Sequence, residues 1–248
     1  MNGLPDVRDY LEAVTTRLRS EVGTRLAAVT LVGSAGAGWY EPGVSDIDVA
    51  VVVERALDER SARSLAAGLS HSKLPCPARK LELVAYRRDL LAVPEWPLPF
   101  ELNFNTGEGM VDHVGLDASA EAAHWFLLDL AIARERSTPL LGPPLHALLG
   151  EIPRPAVLEA LRSALDWYDR EEADSAATVL AACRAWHYAE EGEWASKRDA
   201  AEWAAVRLAD PDPAHRSLTL RGGGAAEPPT AAEATGVLER ARAALDHG

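Results

Sequence analysis

The chain has 248 residues, enough for one large domain or two modest ones that each bury a core. It is 48% hydrophobic and 25% charged, with no low-complexity tract, which excludes a wholly disordered chain. The formal net charge of −13 argues against non-specific binding to nucleic acid and suits a cationic small molecule.

The opening MNGLPDVRDYLEAV has no basic stretch followed by an apolar one, so a secretory leader is not expected. No apolar run approaches the roughly 20 residues that span a bilayer. Cys76 and Cys183 have no CxxC spacing and read as two reduced thiols. A cytoplasmic protein is expected, a monomer with neither nucleic acid nor membrane as partner.

Val7, Tyr10, Leu11, Val14, Leu18 and Val22 recur at helical spacing, with Pro5 near the start and Gly23 at the end. Leu26 to Val32 is a β-type run that ends in the Gly-rich stretch Gly33-Ser34-Ala35-Gly36-Ala37-Gly38. A turn at Glu41-Pro42-Gly43 precedes a second, Val-rich strand from Ile47 to Val53. Asp58 to His71 reads as helix, Lys80 to Tyr86 as a third strand, and Phe100 to Asn105 as a fourth after a proline-rich connection.

From about Ala118 the texture becomes helical. The punctuation includes Pro153 and Pro155, Gly192 as a C-terminal cap, Ser196 as an N-terminal cap, and a Thr230/Glu233 capping box. The expected fold class is α+β, with a mixed αβ domain over residues 1–115 and an all-α bundle over 116–248. A ligand is expected in a cleft between them.

The most informative stretch runs from Leu31-Val-Gly-Ser to Ser45-Asp46-Ile-Asp48-Val. Side chains alternate along a strand, so Asp46 and Asp48 point to the same side. Two carboxylates at the mouth of an apolar strand repel each other unless a counter-charge is present. Magnesium supplies one, because it binds through one or two carboxylates together with substrate phosphates. The N–H groups of Gly33 and Ser34 and the Ser34 hydroxyl suit the distal phosphates. A strand ending in Gly-Ser, about a dozen residues, and Asp-x-Asp opening a Val-rich strand is more specific than either motif alone.

On these residues the chain resembles the nucleotidyltransferase superfamily, which includes DNA polymerase β and the aminoglycoside nucleotidyltransferases. The resemblance implies a polymerase-β-like domain with a small mixed sheet and a third acid on a neighbouring strand. Glu82 in Lys80-Leu-Glu-Leu-Val-Ala-Tyr supplies it, on the face opposite Leu81, Leu83 and Ala85. An edge-strand charge facing water is the alternative reading of Glu82.

Further along, Leu127-Leu-Asp129-Leu-Ala-Ile-Ala-Arg134 through Gly142-Pro143-Pro144 resembles the aminoglycoside 3''-adenylyltransferases, which modify streptomycin and spectinomycin. So do Cys183-Arg184-Ala-Trp186 and Gly192-Glu-Trp-Ala-Ser196-Lys197-Arg-Asp199. The resemblance covers about Leu26 to Leu208. It implies Asp46 and Asp48 as magnesium ligands, Glu82 as general base, and ATP as co-substrate. Gly33, Ser34, Arg184 and Lys197 fall to the nucleotide, and Trp167 and Asp174 to the antibiotic. One substrate-binding acid has no clear equivalent in the short stretch Asp166 to Asp174, where Asp169 and Glu171 are candidates.

The residues give these assignments support of their own. Lys197 would stand in the first turn of a helix, where the macrodipole disfavours a cation unless an anion binds there. Arg184, in an Ala- and Trp-rich helix, needs a partner, either a phosphate or an acid such as Asp129. The implied activity is magnesium-dependent transfer of AMP from ATP to an antibiotic hydroxyl, which would confer antibiotic resistance. Alternatives are a transferase acting on another small-molecule or protein hydroxyl, and a non-catalytic relative.

Overall fold

The computed structural model describes residues 5–247, so the first four residues of the segment read for a leader lie outside it. Helix α1 (Pro5–Val22) turns Val7, Tyr10, Leu11, Val14, Leu18 and Val22 inward, as their spacing predicts. After a 3-10 turn come β1 (Leu26–Val32), the single helical turn α2 (Gly33–Gly36) and β2 (Ile47–Val53). The predicted turn between them closes where the Ser45 N–H donates to the Glu41 carbonyl at 2.9 Å. Helix α3 (Glu59–Leu69) starts on Asp58, whose carboxylate accepts from the Ser61 N–H. There follow β3 (Lys80–Arg87), α4 (Arg88–Ala92), β4 (Leu102–Gly107), β5 (His113–Gly115), α5 (Ala123–Glu135) and β6 (Thr138–Leu141).

The six strands form one mixed sheet in the order β5-β4-β3-β2-β1-β6. Strands β2 and β3 are parallel, joined through α3, and every other pair is antiparallel. One face buries Val29, Leu31, Val49, Val51, Leu81, Leu83, Leu102 and Phe104 against α1 and α3. The other packs Ala50, Val52 and Tyr86 against Phe126, Leu130 and Ala133 of α5. Leu81 and Leu83 have no exposure, so the backbone that carries Glu82 is anchored from behind. Truncating either to Ala would cost about 2–5 kcal/mol.

The chain divides into two compact units between Ile152 and Pro153, not near residue 115. The helical texture from Ala118 marks α5, yet α5 belongs to the core of the first unit. Strand β6 then returns to pair with β1, with Thr138 opposite Leu31. Its four residues include Pro139, which suits an edge strand and conceals the strand from periodicity.

The second unit is a helical bundle of α6 (Arg154–Glu171), α7 (Ala176–Glu191), α8 (Lys197–Ala205), α9 (Asp212–Arg221) and α10 (Ala231–His247). Gly192 ends α7 at φ +75°, and the Ser196 hydroxyl accepts from the Asp199 N–H to start α8. The Thr230/Glu233 box opens α10 as expected, with the Thr230 N–H donating to Glu233 at 2.6 Å. Among the described residues no helix is long and apolar enough to cross a membrane.

Candidate active site

The parallel pairing of β2 with β3 sets Asp48 directly opposite Glu82. Residues opposite one another in a ladder share a face, so both carboxyls project from the same side of the sheet. The edge-strand reading of Glu82 fails, because β3 lies between β2 and β4. Asp46 stands just ahead of β2, close enough to raise the pKa of Asp48.

Gly33 completes the setting. It follows β1, whose last residue Val32 is paired with Asp48, and it adopts φ +58°. A Cβ on Gly33 would stand 1.9 Å from Asp48 Oδ2, so the carboxyl occupies the volume that a side chain there would fill. Ser34 is partly exposed in the same turn. The first N–H groups of a helical turn have no acceptor within it, which leaves them for an anion.

The electrostatics distinguish the three acids. Arg79 holds Asp46 in a two-pronged pair, Nε to Oδ1 at 2.9 Å and Nη2 to Oδ2 at 3.0 Å. The Lys80 ammonium reaches Asp46 Oδ2 at 3.8 Å and is in contact with Glu82 Oε1. The sequence reading gave the counter-charge to a metal alone. Arg79 and Lys80 provide part of it from the turn that enters β3.

Asp48 differs. Burial pushes its pKa well above the ordinary carboxylate value, and the neighbouring Glu82, Asp129 and Asp46 carboxylates push it further. Glu82, directly opposite on β3, opposes ionisation of Asp48, because two like charges so close repel. A hard cation would relieve that repulsion. Among the described residues no three His, Cys, Asp or Glu side chains form a metal cage. Magnesium takes one or two carboxylates and completes its shell with water and phosphate. The oxygen-only donors and the gathering of acids around Asp48 therefore both suit the expected ion.

Asp129 was not assigned a role at this site from the sequence. It lies on α5 and also contributes to the raised pKa of Tyr86. The available signal was a charge within the apolar run Phe126-Leu-Leu-Asp-Leu-Ala-Ile, with Phe126 and Leu130 buried on either side.

The remaining predicted residues belong to the second unit. Arg184 lies half-buried on α7 between the buried Cys183 and Ala185. Lys197 is the first residue of α8, also half-buried, and neighbouring Asp199 is held by Ser196 at 2.8 Å. Trp167, near the end of α6, is partly exposed and meets Tyr168 edge-on at 5.2 Å, so it is not plain core. Asp169 is bound by Arg242 at 3.0 Å, which also holds Asp166 at 2.8 Å. Asp174 is exposed just before Ser175, the N-cap of α7.

A Gly-Ser turn and three carboxyls at one end of a mixed sheet define a nucleotidyltransferase. Residues 11–96 match the family model described as "Nucleotidyltransferase domain", and residues 147–219 match "Aminoglycoside adenylyltransferase, C-terminal domain". An aminoglycoside (3'') (9) adenylyltransferase of Klebsiella pneumoniae is 32% identical over 209 residues, 79% of each chain. Its Shigella flexneri counterpart is 30% identical over 212 residues, covering 83% of this chain and 80% of that one. A spectinomycin 9-adenylyltransferase of Staphylococcus aureus is 28% identical over 195 residues, covering 73% and 72%. The chain belongs to the aminoglycoside (3'') (9) adenylyltransferase family.

The fold likeness extends to a crystal structure of spectinomycin adenyltransferase AAD(9) from Enterococcus faecialis with ATP and spectinomycin. It has a TM-score of 0.69 at 19% identity, over 96% of this chain and 97% of that one.

Proposed function

We propose that this protein transfers AMP from ATP to a hydroxyl of spectinomycin or streptomycin and releases pyrophosphate, in a magnesium-dependent reaction that confers antibiotic resistance. The reading is supported by family membership and by relatives named for this activity. The observation that carries it is the Asp48–Glu82 register across β2 and β3, with Asp48 seated over Gly33.

Asp46 and Asp48 would hold magnesium, which, when bound, supplies positive charge to the phosphate oxygens of the transition state. Glu82 accepts the proton of the acceptor hydroxyl, its carboxylate oriented by Lys80. The freed oxygen forms a bond to the α-phosphorus as the bond from that phosphorus to the bridging oxygen breaks. Pyrophosphate departs with that electron pair. Gly33 and Ser34 contact the distal phosphates, and so do Arg184 and Lys197. Trp167, Asp169 and Asp174 contact the antibiotic, with Asp169 shared with Arg242. The protein acts as a cytoplasmic monomer.

Pure protein incubated with magnesium, ATP and either spectinomycin or streptomycin tests the proposal by mass spectrometry. An AMP mass increment on at least one antibiotic is expected. Its absence on both, with ATP bound, refutes the reading.

A further inference from the structure

The face that bears Asp48 and Glu82 continues beyond β3. Strand β4 sets Asn105 opposite Glu82, and β5 sets His113 opposite Asn105. Asp48, Glu82, Asn105 and His113 therefore stand in one row across four strands, about 4.8 Å apart per strand. The proposed chemistry uses only the first two.

The outer half of the row is built with unusual polarity. Asn is poorly suited to strands, yet in β4 Asn103 and Asn105 alternate with the fully buried Leu102 and Phe104 of its other face. The Asn105 amide donates to Asn103 Oδ1 at 3.3 Å. Asn103 lies 3.5 Å from His113 Nε2, and that nitrogen is 2.7 Å from Glu121 Oε1. Gly115 leaves the room: a Cβ there would come within 2.6 Å of Glu121 Oε1 and 3.1 Å of His113 Nε2. The amide and the imidazole are thus oriented from behind, while the His113 side chain stays 48% exposed.

We propose that Asn105 and His113 form an acceptor subsite, hydrogen-bonding the hydroxyls or amines of the antibiotic ring that lie beside the reacting hydroxyl. Asn103 and Glu121 are its positioning residues. The inference rests on the AMP transfer proposed above and locates the acceptor along the sheet. A hydroxyl at Glu82 and a second polar group one strand further out correspond to the span of one sugar or cyclitol ring. The subsite therefore selects a rigid, polyhydroxylated, amino-bearing ring over a simple alcohol.

The test is steady-state kinetics on whichever antibiotic the wild-type protein adenylylates. Asn105→Ala and His113→Ala should each raise KM for the antibiotic about tenfold, with KM for ATP within twofold and Tm unchanged. Glu121→Gln should give a smaller rise, and His113→Gln should recover part of the loss. If Asn105→Ala does not fold, the half-exposed His113 decides the matter. Unchanged antibiotic KM in folded variants, or an equal rise in KM for ATP, overturns the subsite and leaves AMP transfer standing. Wild-type protein that adenylylates neither antibiotic overturns both.

Discussion

Replacing Gly33 with Ala perturbs the site at one atom. The position has φ +58°, and an L-residue there costs about 1–2 kcal/mol. The larger effect is steric. The new Cβ would lie 1.9 Å from Asp48 Oδ2, about 1.5 Å inside the 3.4 Å at which ordinary contact begins. It would also lie 2.6 Å from Asp48 Cγ and 2.9 Å from its Cβ, so rotating the carboxyl alone does not clear the overlap. Asp48 or the turn must shift by about an ångström, and a displacement of that size costs on the order of 10²-fold in rate. Gly38→Ala is the control: φ is +81°, yet nothing lies within 4 Å of the added Cβ. It should lose a similar 1–2 kcal/mol through strain and keep its turnover. Both variants are assayed for kcat/KM with ATP and for Tm. If Gly33→Ala stays within threefold of wild type, or if Gly38→Ala loses activity equally, the seating of Asp48 on Gly33 is not what positions it.

Glu82→Gln should bind ATP with unchanged affinity by calorimetry and lose transfer on the order of 10²-fold or more, and normal turnover would remove Glu82 from the role of base. Asp48→Asn should abolish magnesium-dependent ATP binding and yet raise the Tm of the ligand-free protein. The folded pKa of Asp48 lies above its unfolded value, so the ionised carboxyl destabilises the fold increasingly as pH rises. The advantage of the Asn variant should therefore grow as pH rises above 3.8, the ordinary carboxylate value, and a pH-independent difference would contradict the account. Glu233→Ala tests the α10 cap. The Thr230 backbone N–H, then Arg216, lowers the Glu233 pKa from 4.5 to about 2. Its contribution is complete above about pH 4.5 and is lost as pH falls through about 2, so the Tm deficit of the variant should shrink over that interval.

Much of this protein was legible along the chain because its signals are local. The Val-rich runs from Leu26 and Ile47 become strands with the predicted bounds, and Gly192, Ser196 and Thr230 punctuate their helices as expected. Alternation within a strand was enough to place Glu82 away from Leu81 and Leu83, whereas Asp46 lies just ahead of β2, where alternation does not reach. The register between strands was not legible, because it depends on contacts between residues far apart in sequence. Asp48 faces Glu82 across 34 positions, and Leu31 pairs with Thr138 across 107. Those pairings draw α5 and β6 into the first unit and move its boundary from near 115 to 152.

The sequence by itself determined the acids, the glycine turn and the family, since each is a pattern of residue types at fixed spacing. Only the tertiary structure decided that Arg79 and Lys80 neutralise Asp46 and Glu82 while Asp48 stands among acids, and that Asn105 and His113 extend the row. Charge compensation depends on distance in space, and the sheet sets that distance by joining strands whose order the chain does not spell out.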